Sequence, residues 1–212
     1  MFDHFNLAAP IYDKIIRIYD HERMCRLLGL PAKVRLLDAG GGTGRVSRRL
    51  YPLTRQVVIC DLSQGMLRQA ADAGGLNPVR AHAESLPFDD DSFDRILVVD
   101  ALHHFCNQQE ALTDLVRVLK PGGRLVIEEP DVTRTIVKLI ALMEKLALMG
   151  SRFLTSHRIE RNLHDLGMVT HVEDDGRYIF WVQATKPDPA KPDQEISGLL
   201  DRTGLPVDAS AV

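Results

Sequence analysis

The chain has 212 residues, 45% of them hydrophobic and 26% charged, with a formal net charge of -3. That size and balance suit one globular domain with a sizeable core. They supply no global basic field for a nucleic-acid backbone, so a nucleic-acid partner has no strong signal.

The three cysteines, Cys25, Cys60 and Cys106, are odd in number and lack CxxC spacing. This argues against a disulfide framework or a thiolate zinc site and for a reducing, cytoplasmic setting. The opening MFDHFNLAAPIYD has neither the basic segment nor the apolar run of a signal peptide. No stretch reaches about 18 uncharged apolar residues, so no membrane span is expected.

Within residues 10–28, Ile11, Ile15, Ile16 and Tyr19, then Met24, Leu27 and Leu28, recur at three- and four-residue intervals. This is the spacing of one or two amphipathic helices, ended by Gly29 and Pro31. VRLLD at 34–38 reads as a buried strand, residues 45–51 as a helix stopped by Pro52, and QVVICD at 56–61 as a second strand. Ser63 is placed to cap a helix over 64–72. A short strand near 79–82, a turn at SLPFDDDSFD and the strand RILVVD at 95–100 follow. The apolar run of RILVVD suits a strand covered on both faces. A helix over 108–119 closes at Lys120-Pro121-Gly122-Gly123, and RLVIEEP at 124–130 is the next strand. Strands and helices alternating at this length imply an α/β fold, a parallel sheet with helices on both faces, because parallel neighbours need long right-handed crossovers.

Residues 133–149 predict a further helix, with Ile136, Leu139, Ile140, Met143 and Leu146 on one face and Val137, Leu142, Leu148 and Met149 extending the apolar surface. Residues 156–166 read as a helix stopped by Gly167. MVTHVED and GRYIFWVQATK, around Asp174-Asp175-Gly176, read as a terminal hairpin. From Pro187 onward periodicity is lost, and the proline- and charge-rich composition predicts a mobile tail over 187–212.

In an open parallel sheet, ligands bind beyond the C-terminal strand ends where strand order reverses. The stretch from Asp38 to Gly44 sits at such an end. Its glycines, at 40, 41, 42 and 44, give the register GxGxG. A dinucleotide GxGxxG would need a glycine at 43 or 45, where Thr43 and Arg45 stand, and there is no GKS or GKT for a triphosphate. The loop suits a ligand other than a pyrophosphate.

This segment resembles motif I of the class I S-adenosylmethionine-dependent methyltransferases, a Rossmann-like family whose loop reads D/ExGxGxG. Further similarities follow in order. Asp61 ends the second strand, 17 residues after Gly44, where the family places the acidic residue that binds both ribose hydroxyls. HAESLPFDDDSFD at 82–94 resembles the segment along the adenine, and LVRVLKPGGRLVIEEP at 115–130 resembles the stretch leading into the fifth strand. FDHFNLAAPIYDKI adds a similarity to the ubiquinone and menaquinone biosynthesis C-methyltransferases of the methyltransferase type 11 group.

The resemblance implies a mostly parallel seven-stranded sheet with an antiparallel C-terminal hairpin strand. It also implies an N-terminal helical lid over 1–30 and a cofactor-binding domain over 31–186. The implied cofactor is S-adenosylmethionine, with S-adenosylhomocysteine as product, held by Asp38, Gly40, Gly42, Gly44, Asp61, Leu62, His82, Ala83, Asp100 and Tyr12. A loop free of side chains lets the methionyl part approach, and carboxylates suit its ammonium and sulfonium charges. The family often has Asp or Asn where this chain has His82, so adenine recognition falls to that side chain or to the backbone of Ala83. Glu84 reads as a solvent-facing neighbour. The run Asp89, Asp90, Asp91 reads as a solvated turn, since no calcium-loop spacing follows it, and no metal site is expected.

The fourth strand ends in DALHHF at 100–105, the candidate acceptor side. Either His103 or His104 is a candidate general base, given an unperturbed pKa of about 6.5. The competing account has one histidine packing beneath the loop and the other exposed. In-line SN2 transfer needs no base when the acceptor is already nucleophilic. The expected activity is methyl transfer to a small, lipophilic acceptor. Protein or RNA methylation, and a non-catalytic cofactor-binding regulatory protein, are the alternatives. Quinone-methylase resemblance favours carbon, but that subfamily commonly carries Arg-Asn where this chain has His103-His104, so no quinone is named. Phe5, Tyr12 and Tyr19 either line the lid or pack in the core. The apolar surface of 133–149 packs inside, lines a lipophilic pocket, makes a homodimer contact or rests on a membrane face, while Arg134, Lys138, Glu144 and Lys145 argue against spanning.

Overall fold

The structure, a computed structural model, describes residues 20–72, 74–135, 137–138 and 151–191. Tyr12 and the rest of 1–19, most of the apolar stretch 133–149, and 192–212 lie outside the described residues.

Seven strands form one sheet: β1 Arg35–Ala39, β2 Gln56–Asp61, β3 Leu76–Arg80, β4 Phe93–Val99, β5 Leu119–Pro130, β6 Val169–Asp174 and β7 Ile179–Thr185. Their order is β3-β2-β1-β4-β5-β7-β6. The first five strands run parallel, and β7 is antiparallel to both β5 and β6. The chain winds outward from β1 to β3, then returns to place β4 on the other side of β1. Strand order therefore reverses between β1 and β4, which opens a crevice at their C-terminal ends. The helices are α1 His21–Leu28, α2 Ser47–Leu50, α3 Gln64–Asp72, α4 Gln108–Val118 and α5 Ser156–Asp165.

Alternation along the strands divides the core into two layers. In β4, Ile96 and Val98 point to one face, where Leu112 and Leu115 of α4 and Ile159 and Leu163 of α5 cover them. Leu97 points to the other, among Leu36, Trp181 and the α1 side chains Met24, Leu27 and Leu28. The α1 helix starts on Asp20, whose carboxylate accepts the Arg23 N–H at 2.9 Å, and ends on Gly29 in the left-handed region. Gln183 Nε2 donates to the Leu27 carbonyl at 3.0 Å. The described part of the expected lid is thus a core helix, because its apolar face is spent on the sheet.

Three boundaries differ from expectation. Only Ser47–Leu50 is regular helix, and Pro52 lies inside a following 3-10 turn, Tyr51–Leu53. Proline is tolerated there because the first N–H groups of a helical turn have no partner to lose. The third strand begins at Leu76 and carries Pro78. It is the sheet's edge strand, so one side needs no ladder donor. Strand β5 begins at Leu119, since Phe93 pairs with Leu119 and Arg95 with Arg124, with a register shift absorbing the Pro-Gly-Gly segment between them.

Replacing Leu27, which is 0% exposed, with alanine is expected to lower the unfolding free energy by about 2 to 5 kcal/mol. Denaturant unfolding at unchanged slope measures this. A loss below about 1 kcal/mol would instead mark α1 as a cover lying on the fold.

Candidate functional site

The crevice is built first by the loop after β1. Gly40 and Gly41 N–H groups both donate to the Cys60 carbonyl, at 2.7 and 3.3 Å, tying the loop to the end of β2. Gly40, Gly42 and Gly44 have φ of 74°, 55° and 75°, a region that side chains disfavour. Space divides the glycines further. A Cβ on Gly40 would come within 2.5 Å of the Ala101 Cβ, one on Gly41 within 2.6 Å of the Asp38 carboxyl, and one on Gly44 within 2.7 Å of Leu76 Cδ1. Those three are dictated by the protein's own packing. At Gly42 the nearest atom would be the flexible Met66 sulfur at 3.3 Å, so this is the one of the four where a small shift of a single side chain makes room.

Asp61 faces that room. Its Oδ2 accepts the Gly42 N–H at 2.9 Å and its Oδ1 the Ser63 N–H at 2.7 Å. Each oxygen keeps a further acceptor site, since an ionised carboxylate offers about four lone-pair positions. Leu62 beside it is 44% exposed. Asp38 lies beneath the loop, 2% exposed, and accepts the Ser47 hydroxyl at 2.7 Å. Burial pushes its pKa up to about 6. The contacts of Asp38 are with the α2 start and the underside of Gly41, so it organises the loop and does not line its mouth.

Along the next expected segment, Ala83 is buried and the His82 side chain is 62% exposed, its Nδ1 3.8 Å from Glu84 Oε2. Glu84 is not a solvent-facing neighbour. Its side chain is mostly covered and its Oε1 accepts the Asn107 N–H at 3.0 Å, joining this segment to the N-cap of α4. In the acidic turn, Asp90 pairs with Arg117 and Asp91 with Lys186, both at 2.8 Å. Among the described residues no group of three or more His, Cys, Asp or Glu could hold a metal ion.

The DALHHF segment follows β4. Asp100 has a positive φ of 52° and donates its N–H to the Glu128 carbonyl at 2.9 Å. Residues Leu102–His104 form a 3-10 turn. The turn is held by a residue the sequence did not single out, Glu129 at the end of β5. Its Oε1 accepts the Ala101 and Leu102 N–H groups at 3.0 and 2.8 Å, and its Oε2 lies 2.6 Å from His103 Nδ1. The carboxylate therefore fixes the imidazole proton on Nδ1. His103 is 1% exposed, stacked on Phe153 at 4.3 Å, with Nε2 4.0 Å from Asp100 Oδ1. His104 packs beside it at 4.0 Å, with Ser151 Oγ 3.3 Å from its Nδ1. Burial, assisted by His103, pushes the His104 pKa down to about 3, so this ring is neutral at physiological pH. Neither histidine is exposed.

Alternation along β5 sends the preceding residue, Glu128, to the opposite face. There it accepts the Trp181 indole N–H at 2.7 Å, and burial pushes its pKa up to about 7. Asp100, Glu128, Glu129, Pro130 and Ile179 line a small crevice. The only sequence signal for these two carboxylates is their place, EEP at the C-terminal end of an otherwise apolar strand.

A glycine loop after β1, an acidic residue ending β2 and this strand order define the class I methyltransferase fold. Solved structures with it include a SAM-dependent methyltransferase from Aquifex aeolicus, at TM-score 0.69 and 19% identity over 87% of this chain and 99% of that one. A second, from Mesorhizobium loti, has TM-score 0.66 and 22% identity over 78% and 96%. The same fold also carries the [4+2]-cyclase SpnF, at TM-score 0.68 and 20% identity over 79% and 80%, so fold alone does not assign chemistry.

Residues 37–127 match the Methyltransf_11 family, described as a methyltransferase domain. The ubiquinone/menaquinone biosynthesis C-methyltransferase UbiE of Pseudomonas putida is 40% identical over 113 residues, 49% of this chain and 44% of that protein. Its counterpart in Pseudomonas entomophila is 39% identical over the same shares. The matched segment spans less than half the length of these relatives. Residues 37–127 thus resemble a methyltransferase domain, set in a fold shared with the S-adenosylmethionine-dependent methyltransferases above.

Glu128 sets a pH dependence. A carboxyl whose folded pKa is raised holds its proton more tightly when folded, so its contribution is full below the ordinary value of 4.5 and is lost as pH rises through about 7. Glu128→Gln keeps an acceptor for Trp181 and removes the ionisation. Relative to the parent chain, this variant should gain roughly 3 kcal/mol of unfolding free energy as pH rises across that window. Parallel stability profiles from denaturant titrations would contradict it.

Proposed function

We propose that the chain transfers a methyl group from S-adenosylmethionine to a small acceptor. The observation that carries this is Asp61: a carboxylate pinned by two backbone N–H groups, beside the open glycine, with one acceptor position per oxygen left for a vicinal diol. The residues fit the cofactor in two further respects. Gly42 leaves room at the loop, and the acid-lined crevice at Asp100 and Glu128 suits the cationic end of the molecule. When bound, S-adenosylmethionine supplies an electrophilic methyl on a sulfonium.

In this reading Asp61 and Leu62 hold the ribose side, and His82 with the Ala83 backbone meets the adenine. Gly40 and Gly44 shape the loop that Gly42 opens, and Asp38 supports it from below. Asp100 faces the methionyl end. His103 is the general base for an acceptor that must lose a proton: its Nε2 receives the proton, while Glu129 stabilises the resulting imidazolium through Nδ1. His104, neutral and packed on His103, keeps that ring in place. The likeness to C-methyltransferases of quinone biosynthesis supports carbon as the accepting atom, and supports a small acceptor over a protein or RNA.

Calorimetry with S-adenosylhomocysteine tests the cofactor. Asp61→Ala is expected to weaken binding about 100-fold, the loss of two hydrogen bonds to a charged group, with little change in the unfolding midpoint. Unchanged affinity would remove Asp61 from the site. In an acceptor screen read by S-adenosylhomocysteine release, His103→Asn should lower turnover about 10² to 10⁴-fold while S-adenosylhomocysteine affinity is retained. Equal turnover would mean that the acceptor needs no base.

A further inference from the structure

The opposite end of the sheet, where the parallel strands begin, carries a second concavity that the methyltransferase reading does not use. It has a volume of about 300 Å³, in the range of small-ligand sites. Four cations, Lys33, Arg35, Arg55 and Lys120, line it against one carboxylate, Asp94, with Ser92 alongside. The topology makes this grouping: Arg35 opens β1, Asp94 is the second residue of β4 and Lys120 the second of β5.

The single carboxylate is already committed. Asp94 Oδ1 receives Lys120 Nζ at 2.8 Å, and its Oδ2 accepts the Arg35 backbone N–H at 2.7 Å. Arg35 is held rigidly, its guanidinium 4.5 Å over the Phe93 ring and its Nη1 donating to the Ser92 carbonyl at 3.4 Å. Its Nε is buried without a hydrogen-bond partner, a costly state for a charged donor. Lys33 and Arg55 form no side-chain hydrogen bond or ion pair among the described residues.

Cations at this edge have an ordinary use, since helix C-termini and their free carbonyls also end here. Other side chains fill that role. Arg95 Nε donates to the Leu28 carbonyl at the end of α1, and Lys186 Nζ to the Val116 and Leu119 carbonyls at the end of α4. Lys33, Arg35 and Arg55 are left over from it.

We infer that this concavity is a binding site for a compact, multiply charged phosphate such as pyrophosphate. Two exposed cations without a partner among the described residues, Lys33 and Arg55, beside the half-buried Arg35 guanidinium, match a polyvalent oxyanion. The lining holds no aromatic side chain and no aliphatic one, so a nucleobase or an acyl chain finds no surface there. The site is independent of the glycine loop, whose register does not suit a pyrophosphate.

Calorimetric titration of pyrophosphate into the full chain, at fixed ionic strength, is the test. One saturable site is expected. The double variant Lys33→Ala/Arg55→Ala, in which both changed residues are exposed, should weaken binding at least about tenfold and still unfold as the parent does. Arg35→Gln should weaken it by a similar factor, and raising the salt should weaken it further. Asp61→Ala should leave it unchanged, which separates this site from the cofactor crevice. The inference is overturned by absence of saturable binding to the folded parent, by parent-like affinity in the double variant, or by loss of binding in Asp61→Ala.

Discussion

The carboxylate of Glu129 is 2% exposed and meets three donors: two consecutive backbone N–H groups and one imidazole. A buried charge persists only when it is satisfied to this degree. The β4 side of the crevice depends on that contact. It fixes the turn after β4, and the turn sets Ala101 so close to Gly40 that a methyl group on the glycine would overlap it. Gly40 in turn hangs on the Cys60 carbonyl, next to Asp61. One acidic side chain at the end of β5 thereby sets the distance between the two halves of the crevice.

The molecule is polarised along its strands. Carboxylates collect at the C-terminal edge of the parallel strands, where Asp38, Asp61, Asp100, Glu128 and Glu129 all lie in the last residues of a strand or directly after it. Arginines and lysines collect at the other edge. Burial raises the pKa of Glu128 to about 7, so the acidic edge holds somewhat less negative charge near neutrality than its composition suggests. Such an edge repels itself less than five fully ionised carboxylates would.

The order of strands and helices is legible because each buried strand is a short apolar run and each helix begins or ends on a residue with a local reason, such as Ser63, whose hydroxyl accepts the Met66 N–H. Boundaries fail where tertiary position overrides local chemistry. Pro78 argues against a strand until its edge position is known, and the Pro-Gly-Gly segment reads as a stop although the strand has already begun. The glycine register is visible in sequence, but which glycine serves packing depends on Ala101 and Leu76, far along the chain. Glu128 and Glu129 look alike as neighbours. Their partners lie 53 and 26 residues away on opposite faces, and no local pattern announces them. The core position of α1 is hidden for the same reason, since its partners are Trp181 and Gln183.

The pairing of α1 with β6 and β7 has a consequence for how the chain assembles. Gln183 reaches the Leu27 carbonyl across 156 residues, and Arg26 reaches Glu173 across 147. During synthesis α1 emerges long before β6 and β7, which supply these partners. Strands β1 to β5, which carry the crevice, can pair and cover part of the α1 apolar face while its contacts with β6 and β7 are still missing. Closure of such long loops is slow, which sets the fastening of α1 to β6 and β7 behind the pairing of the strands that shape the crevice.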